Sequence, residues 1–287
     1  PAHLKAVVER IGQRKPKQRQ IKSEPSASSI YQSVALRQEK AILAIGERTN
    51  ANGSKKFREL LAVEDYDAMV QMGKEQVKAG SHLLDVCAAY VGRDESKDMS
   101  QIIRRFATEI TVPIVIDSTE VPVIEAALKL LGGKCIINSI NLEDGEERLD
   151  QVCTLAKRHG AAVIALTIDE KGMAKDQAGK VRIAKRIYDL VTNRHGIPAS
   201  DLIFDPLTFT ICTGMESDRR LGLETLEAIR LIKEDCPGAH TVLGLSNISF
   251  GVKPGARRVI NSVFLHYARE RGLDSAIMHS TGIIPLY

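Results

Sequence analysis

Eight short apolar runs, separated by longer segments with helical periodicity, begin at Ala41 and restrict the possible folds more than any other feature. Each run is continuous rather than alternating, which is typical of parallel strands buried on both faces. Strands and helices that alternate in this way form α/β folds. The runs cover residues 41–47, 82–88, 112–118, 134–140, 161–169, 201–207, 240–247 and 275–280.

Eight is the number of strands that closes a (β/α)8 barrel, a fold of about 250 residues. The chain has 287 residues, and we predict an α/β TIM barrel over residues 41–287 with an N-terminal linker arm over residues 1–40. A doubly wound open sheet is the alternative. It is disfavoured because no GxGxxG motif follows the first run and no Walker A motif occurs.

The segments between the runs predict helices. The last of them shows the clearest stripe, with Val259, Ile260, Val263, Phe264 and Tyr267 on one face. The predicted helical segments are 64–79, 120–131, 146–159, 175–195, 217–235 and 257–271.

The first 40 residues differ from the rest in composition. PAHLKAVVERI predicts a short amphipathic helix, and GQRKPKQRQIKSEPSASS has the Pro, Ser and Lys content of an exposed linker. Residues 1–40 carry nine Lys/Arg and three Glu, whereas the remainder carries 31 basic and 33 acidic side chains. The basic excess therefore belongs to the arm. With no tryptophan and 4% aromatic residues, the composition argues against a nucleic acid partner.

The sequence also restricts the cellular compartment in which we expect the protein. No apolar run reaches the roughly 18–20 residues that cross a bilayer, and the N-terminus has no signal-peptide pattern. The five cysteines are spread along the chain without a CxxC pair, which favours free thiols in a reducing compartment. We therefore expect a cytoplasmic protein with no membrane contact and no metal site.

Polar residues follow almost every predicted strand. In a TIM barrel these positions meet at the carboxyl-terminal face, where active sites lie. Carboxylates there are costly to bury without partners, and a heterocycle with several N–H donors, such as a pterin, would satisfy them. The residues concerned are Glu47, Arg48, Asn50, Asp85, Asp117, Ser118, Asn138, Ser139, Asp169, Glu170, Asp205, Ser246, Asn247 and His279.

Five of these strand ends carry short strings in a fixed order: IGERTN, IDSTE, INSI, FDP and GLSNISFG. Together they resemble the pterin-binding methyltransferases over residues 42–284, nearly the whole predicted barrel. The resemblance implies that Asp117, Asn138 and Asp205 hold a pterin ring. It also implies that Asn247 hydrogen-bonds near N5 and that Asp85 supports the floor of the pocket. The full implied pterin-binding set is Glu47, Asp85, Asp117, Asn138, Asp205, Asn247, Phe250 and Arg257.

Within that family, three features resemble the folate domain of cobalamin-dependent methionine synthases. They are Phe250, the DEKG sequence at 169–172, and the N-terminal PAHLKAVVERIGQRKP, which is similar to the end of a preceding homocysteine domain. This resemblance implies a methyltransferase that moves the N5-methyl group of 5-methyltetrahydrofolate to cob(I)alamin, with Asn247 and Asp117 as catalytic residues. Cobalamin and zinc would then belong to other domains of the same polypeptide, and those domains would be the partners.

One residue departs from the family pattern, and several alternatives stay open. Cys87 stands where relatives usually carry Asn. The alternative functions are a methyltetrahydrofolate:corrinoid/iron–sulfur protein methyltransferase and a barrel that only docks neighbouring domains. Dihydropteroate synthase is disfavoured because that family usually carries a Lys and a Ser-Arg pair near strands 7 and 8. For three single residues a structural role is as well supported as a role in the site. Ser118 and Asp169 are suited to capping the helices that follow them, and Arg48 is suited to a buried ion pair with Glu47.

Overall fold

We describe residues 1–15, 24–39 and 41–284 of a computed structural model of the chain. Eight parallel strands close into a barrel in sequence order, and the last strand pairs with the first through Ser275 and Leu43. The predicted TIM barrel is confirmed, and each of its eight strands lies inside its predicted run. The strands are β1 (Leu43–Gly46), β2 (Leu83–Val86), β3 (Ile114–Asp117), β4 (Ile136–Ile140), β5 (Ala162–Leu166), β6 (Leu202–Asp205), β7 (His240–Gly244) and β8 (Ser275–Met278).

The apolar runs are continuous because both faces of the strands are buried. Side chains on one face fill the barrel, whereas those on the other face pack under the surrounding helices. In β1, for example, Leu43 and Ile45 point into the barrel and Ala44 faces the helices. The interior cluster contains Ala27, Leu36, Leu43, Ile45, Leu83, Val115, Ile136, Ala162, Ile164, Ile203 and Val242.

Helices separate the strands as predicted. Two further helices, α2 and α4, lie outside the predicted segments, and each begins at a side-chain cap: Ser54 accepts from the Phe57 N–H and Asp94 from the Lys97 N–H. The helices are α1 (Ala2–Ile11), α2 (Lys55–Ala62), α3 (Tyr66–Lys78), α4 (Glu95–Glu109), α5 (Val121–Leu128), α6 (Glu147–His159), α7 (Gln177–Asp189), α8 (Leu221–Asp235) and α9 (Pro254–Glu270).

The apolar stripe of α9 is only partly buried. Phe264 lies in the core, but Val259 and Tyr267 are 53% and 49% exposed. These exposed side chains border an apolar groove between α8 and α9. The predicted helix is therefore confirmed, but its apolar stripe is wider than the surface that the barrel covers.

The arm divides into parts with different packing. Helix α1 confirms the predicted amphipathic helix, and none of its residues is buried. Residues 16–23 of the predicted linker lie outside the described residues. A hairpin of Ser26–Ser28 and Ser33–Ala35 then packs across the amino-terminal end of the barrel. Its Ala27 and the following Leu36 are buried against the interior cluster. Among the described helices, none has the length and apolar character needed to cross a membrane.

Backbone contacts fix this hairpin to the starts of two barrel strands. The Ser28 N–H donates to the Lys134 carbonyl at 2.8 Å, and the Ser29 hydroxyl donates to the Thr111 carbonyl at 2.6 Å. Gly133 makes the approach possible, since a Cβ there would lie 2.4 Å from the Ser28 carbonyl oxygen. The hairpin thus closes the floor of the barrel and leaves the carboxyl-terminal face for the site.

Candidate functional site

Three of the predicted site residues meet at the carboxyl-terminal end of β2, β3 and β4. Asp117 and Asn138 are register partners on β3 and β4, and Asp85 is on β2. The Asn138 amide donates to Asp85 at 3.3 Å. The amide nitrogen of Asn50, in the loop after β1, lies 2.6 Å from a carboxylate oxygen of Asp85 and 2.6 Å from one of Asp117. One amide group therefore joins two carboxylates at the barrel mouth.

Burial changes the protonation of these two carboxyl groups. The pKa of Asp85 is raised to about 8, first by burial and then by the nearby charge of Asp117, while bonds from Asn50 and Asn138 oppose the shift. The pKa of Asp117 is raised to about 6, mainly by burial. Two carboxylates so close together disfavour double ionisation. Near neutral pH the pair holds a proton, and that proton resides mainly on Asp85.

Asp205 lies at the end of β6, on the other side of the mouth. Its carboxylate accepts from the backbone N–H of Leu207 at 2.8 Å. Burial raises the pKa of Asp205 to about 6, and the Leu207 N–H and the charge of Lys180 partly offset the increase. Asp205 is therefore mostly ionised at neutral pH, unlike Asp85.

Asn247 lies in the short helical turn Leu245–Ser249 after β7, and it is exposed at the mouth. Its amide folds back over the end of β7: a Cβ placed on Gly244 would lie only 3.1 Å from the Asn247 amide nitrogen. The absence of a side chain at Gly244 leaves room for this position. Asn247 thus presents a donor and an acceptor to the solvent side of the pocket.

A second group of predicted residues lines a cavity of about 400 Å³ between the ends of β7, β8 and β1. The Ser246 hydroxyl donates to the Glu47 carboxylate at 2.8 Å. The Arg257 guanidinium donates to the Ser246 carbonyl at 3.1 Å and to the Ser249 hydroxyl at 3.2 Å. Burial raises the pKa of Glu47, while Ser246 and then the charges of His279 and Arg257 oppose the increase. Glu47 and Arg257 therefore share one wall beside the mouth.

Two of the alternatives that the sequence leaves open do not occur. Arg48 does not pair with Glu47; its guanidinium lies 3.8 Å from Glu75 on α3, because it points away from the mouth. Asp169 does not cap a helix either, and it accepts instead from Arg182 at 2.8 Å and from the Lys171 N–H at 3.0 Å.

Ser118 and His279 make local contacts. The Ser118 hydroxyl accepts from the Glu120 N–H, at the start of α5, and donates to Glu95. A His279 ring nitrogen shares a hydrogen bond with Thr281.

Phe250 is 68% exposed at the tip of the loop after β7, so it is not a core residue. Other large apolar side chains are exposed on loops at the same end of the barrel. Val91 after β2 is 95% exposed, and Met173 and Met215 after β5 and β6 are each 59% exposed. We call these four residues the apolar rim. Each of the four follows a different barrel strand, so they are distributed around the mouth.

Two residues at the mouth, Asn50 and Cys87, were not in the implied pterin-binding set. Asn50 belongs to IGERTN, and its central position depends on a bridge between the backbones of Asn50 and Cys87 that spacing does not reveal. Cys87 is 1% exposed, its sulfur accepts from Asn52 at 3.4 Å, and burial with the charge of Asp117 raises its pKa. The departure to Cys thus places a neutral thiol beside Asp117. Within the described residues, no group of three or more His, Cys, Asp or Glu is arranged to hold a metal ion.

Comparisons with known proteins identify the family of the barrel. Residues 46–279 match the family described as pterin binding enzyme. The methionine synthase of Mycobacterium tuberculosis is 50% identical over 289 residues, which cover 100% of this chain and 24% of that protein. The methionine synthase of Mycobacterium leprae is 50% identical over 94% of this chain and 23% of its own length. The chain thus spans about a quarter of the curated relatives that it matches.

Solved structures show the same fold at low identity. Dihydropteroate synthase of Xanthomonas albilineans, bound to indole-2-carboxylic acid and 6-chloroguanine, is 17% identical with a TM-score of 0.65, covering 91% of this chain and 94% of that one. Dihydropteroate synthase of Stenotrophomonas maltophilia is 19% identical with a TM-score of 0.64, covering 90% and 94%. These likenesses concern the barrel alone. The family match over nearly the whole barrel, together with the polar strand ends, shows that the chain belongs to the pterin binding enzymes.

Proposed function

We propose that this chain is a folate-binding module that holds 5-methyltetrahydrofolate and transfers its N5-methyl group to cob(I)alamin, one half-reaction of methionine synthesis. The observation that carries the proposal is the bonded set of Asp85, Asp117 and Asn138 at the mouth of a pterin-binding barrel. The 50% identity to methionine synthases over the whole chain supports the choice of reaction.

In the proposed complex, ionised and neutral groups have different tasks. Asp117 and Asp205 accept from the N–H donors along the edge of the pterin, a charge-assisted arrangement. Asn138 bonds to the ring with its remaining donor and acceptor sites. Asp85 is mainly protonated, so it supports Asn50 and Asn138 from below without adding a second full negative charge. Glu47, Arg257 and Phe250 complete the pocket from the side of β7 and β8.

Methyl transfer breaks the bond between the methyl carbon and N5 and forms a bond between that carbon and the metal of the second substrate. Cob(I)alamin supplies the nucleophilic electron pair, and the pair of the broken bond stays on N5. A proton must reach N5, because the unprotonated amine would leave as a poor anion. We assign Asn247 to this region, where its amide stabilises the charge that develops at N5 while solvent supplies the proton.

The second substrate is large, so the mouth must admit a protein domain that carries it. The apolar rim formed by Val91, Met173, Met215 and Phe250 provides a contact surface for such a domain. We propose that the partners are the cobalamin-binding and homocysteine domains of the same polypeptide, with zinc confined to the latter. The small share of its relatives that the chain covers is consistent with these further domains. The free thiols suit the reducing cytoplasm.

Binding of the first substrate tests the proposal most directly. Asp117→Asn keeps the shape of the side chain but removes the carboxylate, so we expect equilibrium titration with 5-methyltetrahydrofolate to show at least about 100-fold weaker binding. Asp67→Asn, at an exposed position of α3, is the control and should bind like the wild type. Absence of binding by the wild-type chain would overturn the proposal.

Turnover separates the alternatives. With 5-methyltetrahydrofolate and free cob(I)alamin, an enzymatic module yields the methylated product, whereas a docking barrel yields none. A methyltetrahydrofolate:corrinoid/iron–sulfur protein methyltransferase would instead transfer the methyl group fastest to that protein. The main proposal instead predicts that methyl transfer is fastest to the cobalamin-binding domain of the same polypeptide. That result would exclude both the docking barrel and the corrinoid/iron–sulfur protein methyltransferase.

A further inference from the structure

A lysine with no exposed surface lies behind Asp205. Lys180 is on the first turn of α7, and its side chain reaches the turn that follows β6. The ammonium donates to the carbonyl of Pro206 and, at 3.1 Å, to the carbonyl of Leu207. It also lies 4.9 Å from the centre of the Phe209 ring. In the part of the chain that the structure describes, no carboxylate forms an ion pair with this ammonium.

Such a position is costly for an ammonium, because carbonyl groups replace its water only in part. Burial lowers the pKa of Lys180 to about 8, and the nearby charge of Asp205 opposes the shift most strongly. Smaller opposing contributions come from Asp176, which caps α7, and from Glu224 on α8. The ammonium is therefore held in place mainly by the Pro206–Leu207 turn and by the field of Asp205.

The turn itself is strained and tied to the site. Leu207 has a φ of 62°, a conformation that side chains other than glycine rarely adopt. Its carbonyl accepts from Lys180 and from the Thr225 hydroxyl at 3.0 Å, and its N–H donates to Asp205 at 2.8 Å. The lysine thus holds the same peptide segment whose N–H fixes the orientation of the Asp205 carboxylate.

We propose that Lys180 is a positioning residue for Asp205: it holds the Pro206–Leu207 turn and supplies the positive charge that keeps Asp205 ionised to accept from a pterin. The role of Asp205 as a pterin ligand rests on the proposed function, but the coupling between the two side chains does not. Lys180 has no exposed surface, and its Nζ lies against the carbonyls of Pro206 and Leu207.

Few charged groups act on Lys180 and Asp205. Lys180 is the charged group that acts on Asp205, while backbone N–H groups of Leu207 and Gly244 provide the other favourable contacts. Asp176, at the start of Lys180's own helix, and Glu224, on the neighbouring α8, act on Lys180. Replacing Lys180 therefore removes the main cationic support of Asp205.

The first test is independent of any ligand. We expect Lys180→Met to move the titration midpoint of the Asp205 carboxyl, followed by carbon-13 NMR on the whole chain, upward by at least about one pH unit. Asp205→Asn identifies the signal. Lys180→Arg should keep the midpoint near the wild-type value, and Lys185→Met, at an exposed position of the same helix, should leave it unchanged. An unchanged midpoint in Lys180→Met overturns the inference.

A reciprocal measurement covers the case in which Lys180→Met does not fold. Coupling between two sites is equal in both directions. In Asp205→Asn, the side-chain NMR signals of Lys180 should therefore titrate at lower pH than in the wild type. An unchanged Lys180 midpoint in that variant also overturns the inference.

Binding gives the functional readout. If Asp205 must be ionised, Lys180→Met should bind 5-methyltetrahydrofolate about two- to tenfold more weakly at pH 7 and recover toward wild-type affinity near pH 9. A uniform loss at all pH values would indicate a structural effect and contradict the charge role. If the wild type binds no 5-methyltetrahydrofolate, the proposed function fails, and the NMR titrations alone decide the coupling.

Discussion

The amide of Asn50 donates to two carboxylates at once, and this contact determines the chemistry of the barrel mouth. One acid of the pair stays mainly neutral, while Asp205 on the other side stays mainly ionised. The mouth therefore combines a buried neutral acid, Asp85, with a mainly ionised acid, Asp205, on the other side. Environment, rather than residue type, separates the roles of these identical side chains.

Asp85→Asn should change how stability depends on pH. The pKa of Asp85 is raised by folding, so its stabilising contribution is complete at low pH and is lost as pH rises from about 4 through about 8. For one proton the slope is at most about 1.4 kcal/mol per pH unit. We expect urea denaturation at pH 5.5, 7 and 8 to show a flatter decline in Asp85→Asn than in the wild type. Parallel declines would contradict the buried proton.

Asn247→Ala should separate binding from transfer. The exposed amide contributes little to the hydrogen-bonded set on β2 to β4, so we expect the affinity for 5-methyltetrahydrofolate to fall by no more than about threefold. The single-turnover rate of methyl transfer should fall by about 100-fold, because the amide acts where charge develops. Equal losses in affinity and rate would remove Asn247 from the transfer step.

Part of this site follows from the sequence, and part does not. Asp117 and Asn138 end neighbouring apolar runs, so parallel strands must bring them together. The central place of Asn50 depends on a backbone bridge in a loop, and the contact of Lys180 with Pro206 joins residues 26 positions apart through the docking of α7. Neither arrangement leaves a spacing signal. The alternative Arg48–Glu47 ion pair does not form, because neighbouring residues at a strand end point in opposite directions.

At the scale of elements, continuous apolar runs predicted all eight strands because both faces of a barrel strand are buried. The hairpin over residues 26–35 had no such signal. Its sequence is short and polar, and only Ala27 and the following Leu36 enter the core. Helices α2 and α4 also carry a helical pattern that the predicted segments leave out, since α2 buries Phe57 and Leu61 and α4 buries Met99, Ile102, Ile103 and Phe106 at helical spacing.

Alanine substitutions at two glycines test how closely the hairpin packs against the barrel. Gly133 and Gly145 have nearly equal positive φ angles of 85° and 82°, so alanine at either position should cost about 1–2 kcal/mol in backbone strain. Only at Gly133 would the new Cβ meet the hairpin, whereas nothing lies within 4 Å at Gly145. We expect Gly133→Ala to lose about 1–3 kcal/mol more than Gly145→Ala in urea unfolding. Equal losses would mean that the hairpin does not pack closely there.

At the scale of the whole molecule, the two ends of the barrel have opposite properties. The amino-terminal end is sealed by the hairpin, while the carboxyl-terminal end carries the acids and the apolar rim. A substrate of any size must therefore approach from one side. This polarity follows from the fold, in which functional loops come after the strands.

Val91→Asp tests whether the rim contacts a partner domain. Val91 is 95% exposed, so a charge there should leave folding and 5-methyltetrahydrofolate binding unchanged. We expect methyl transfer to the cobalamin-binding domain to slow by about tenfold, equivalent to about 1.4 kcal/mol of lost contact, while transfer to free cob(I)alamin stays within twofold. Val259→Asp, on the outer flank of α9, is the control. A loss with free cob(I)alamin would place Val91 in the pocket instead.

The hairpin at the floor has a consequence for the order in which the protein assembles on the ribosome. Its partners Thr111 and Lys134 follow it in synthesis by 82 and 106 residues, and the wall it closes is complete only when β8 pairs with β1. The nascent hairpin therefore emerges long before any surface exists for it to cover. The hairpin that closes the barrel floor is therefore synthesised before the strands against which it packs.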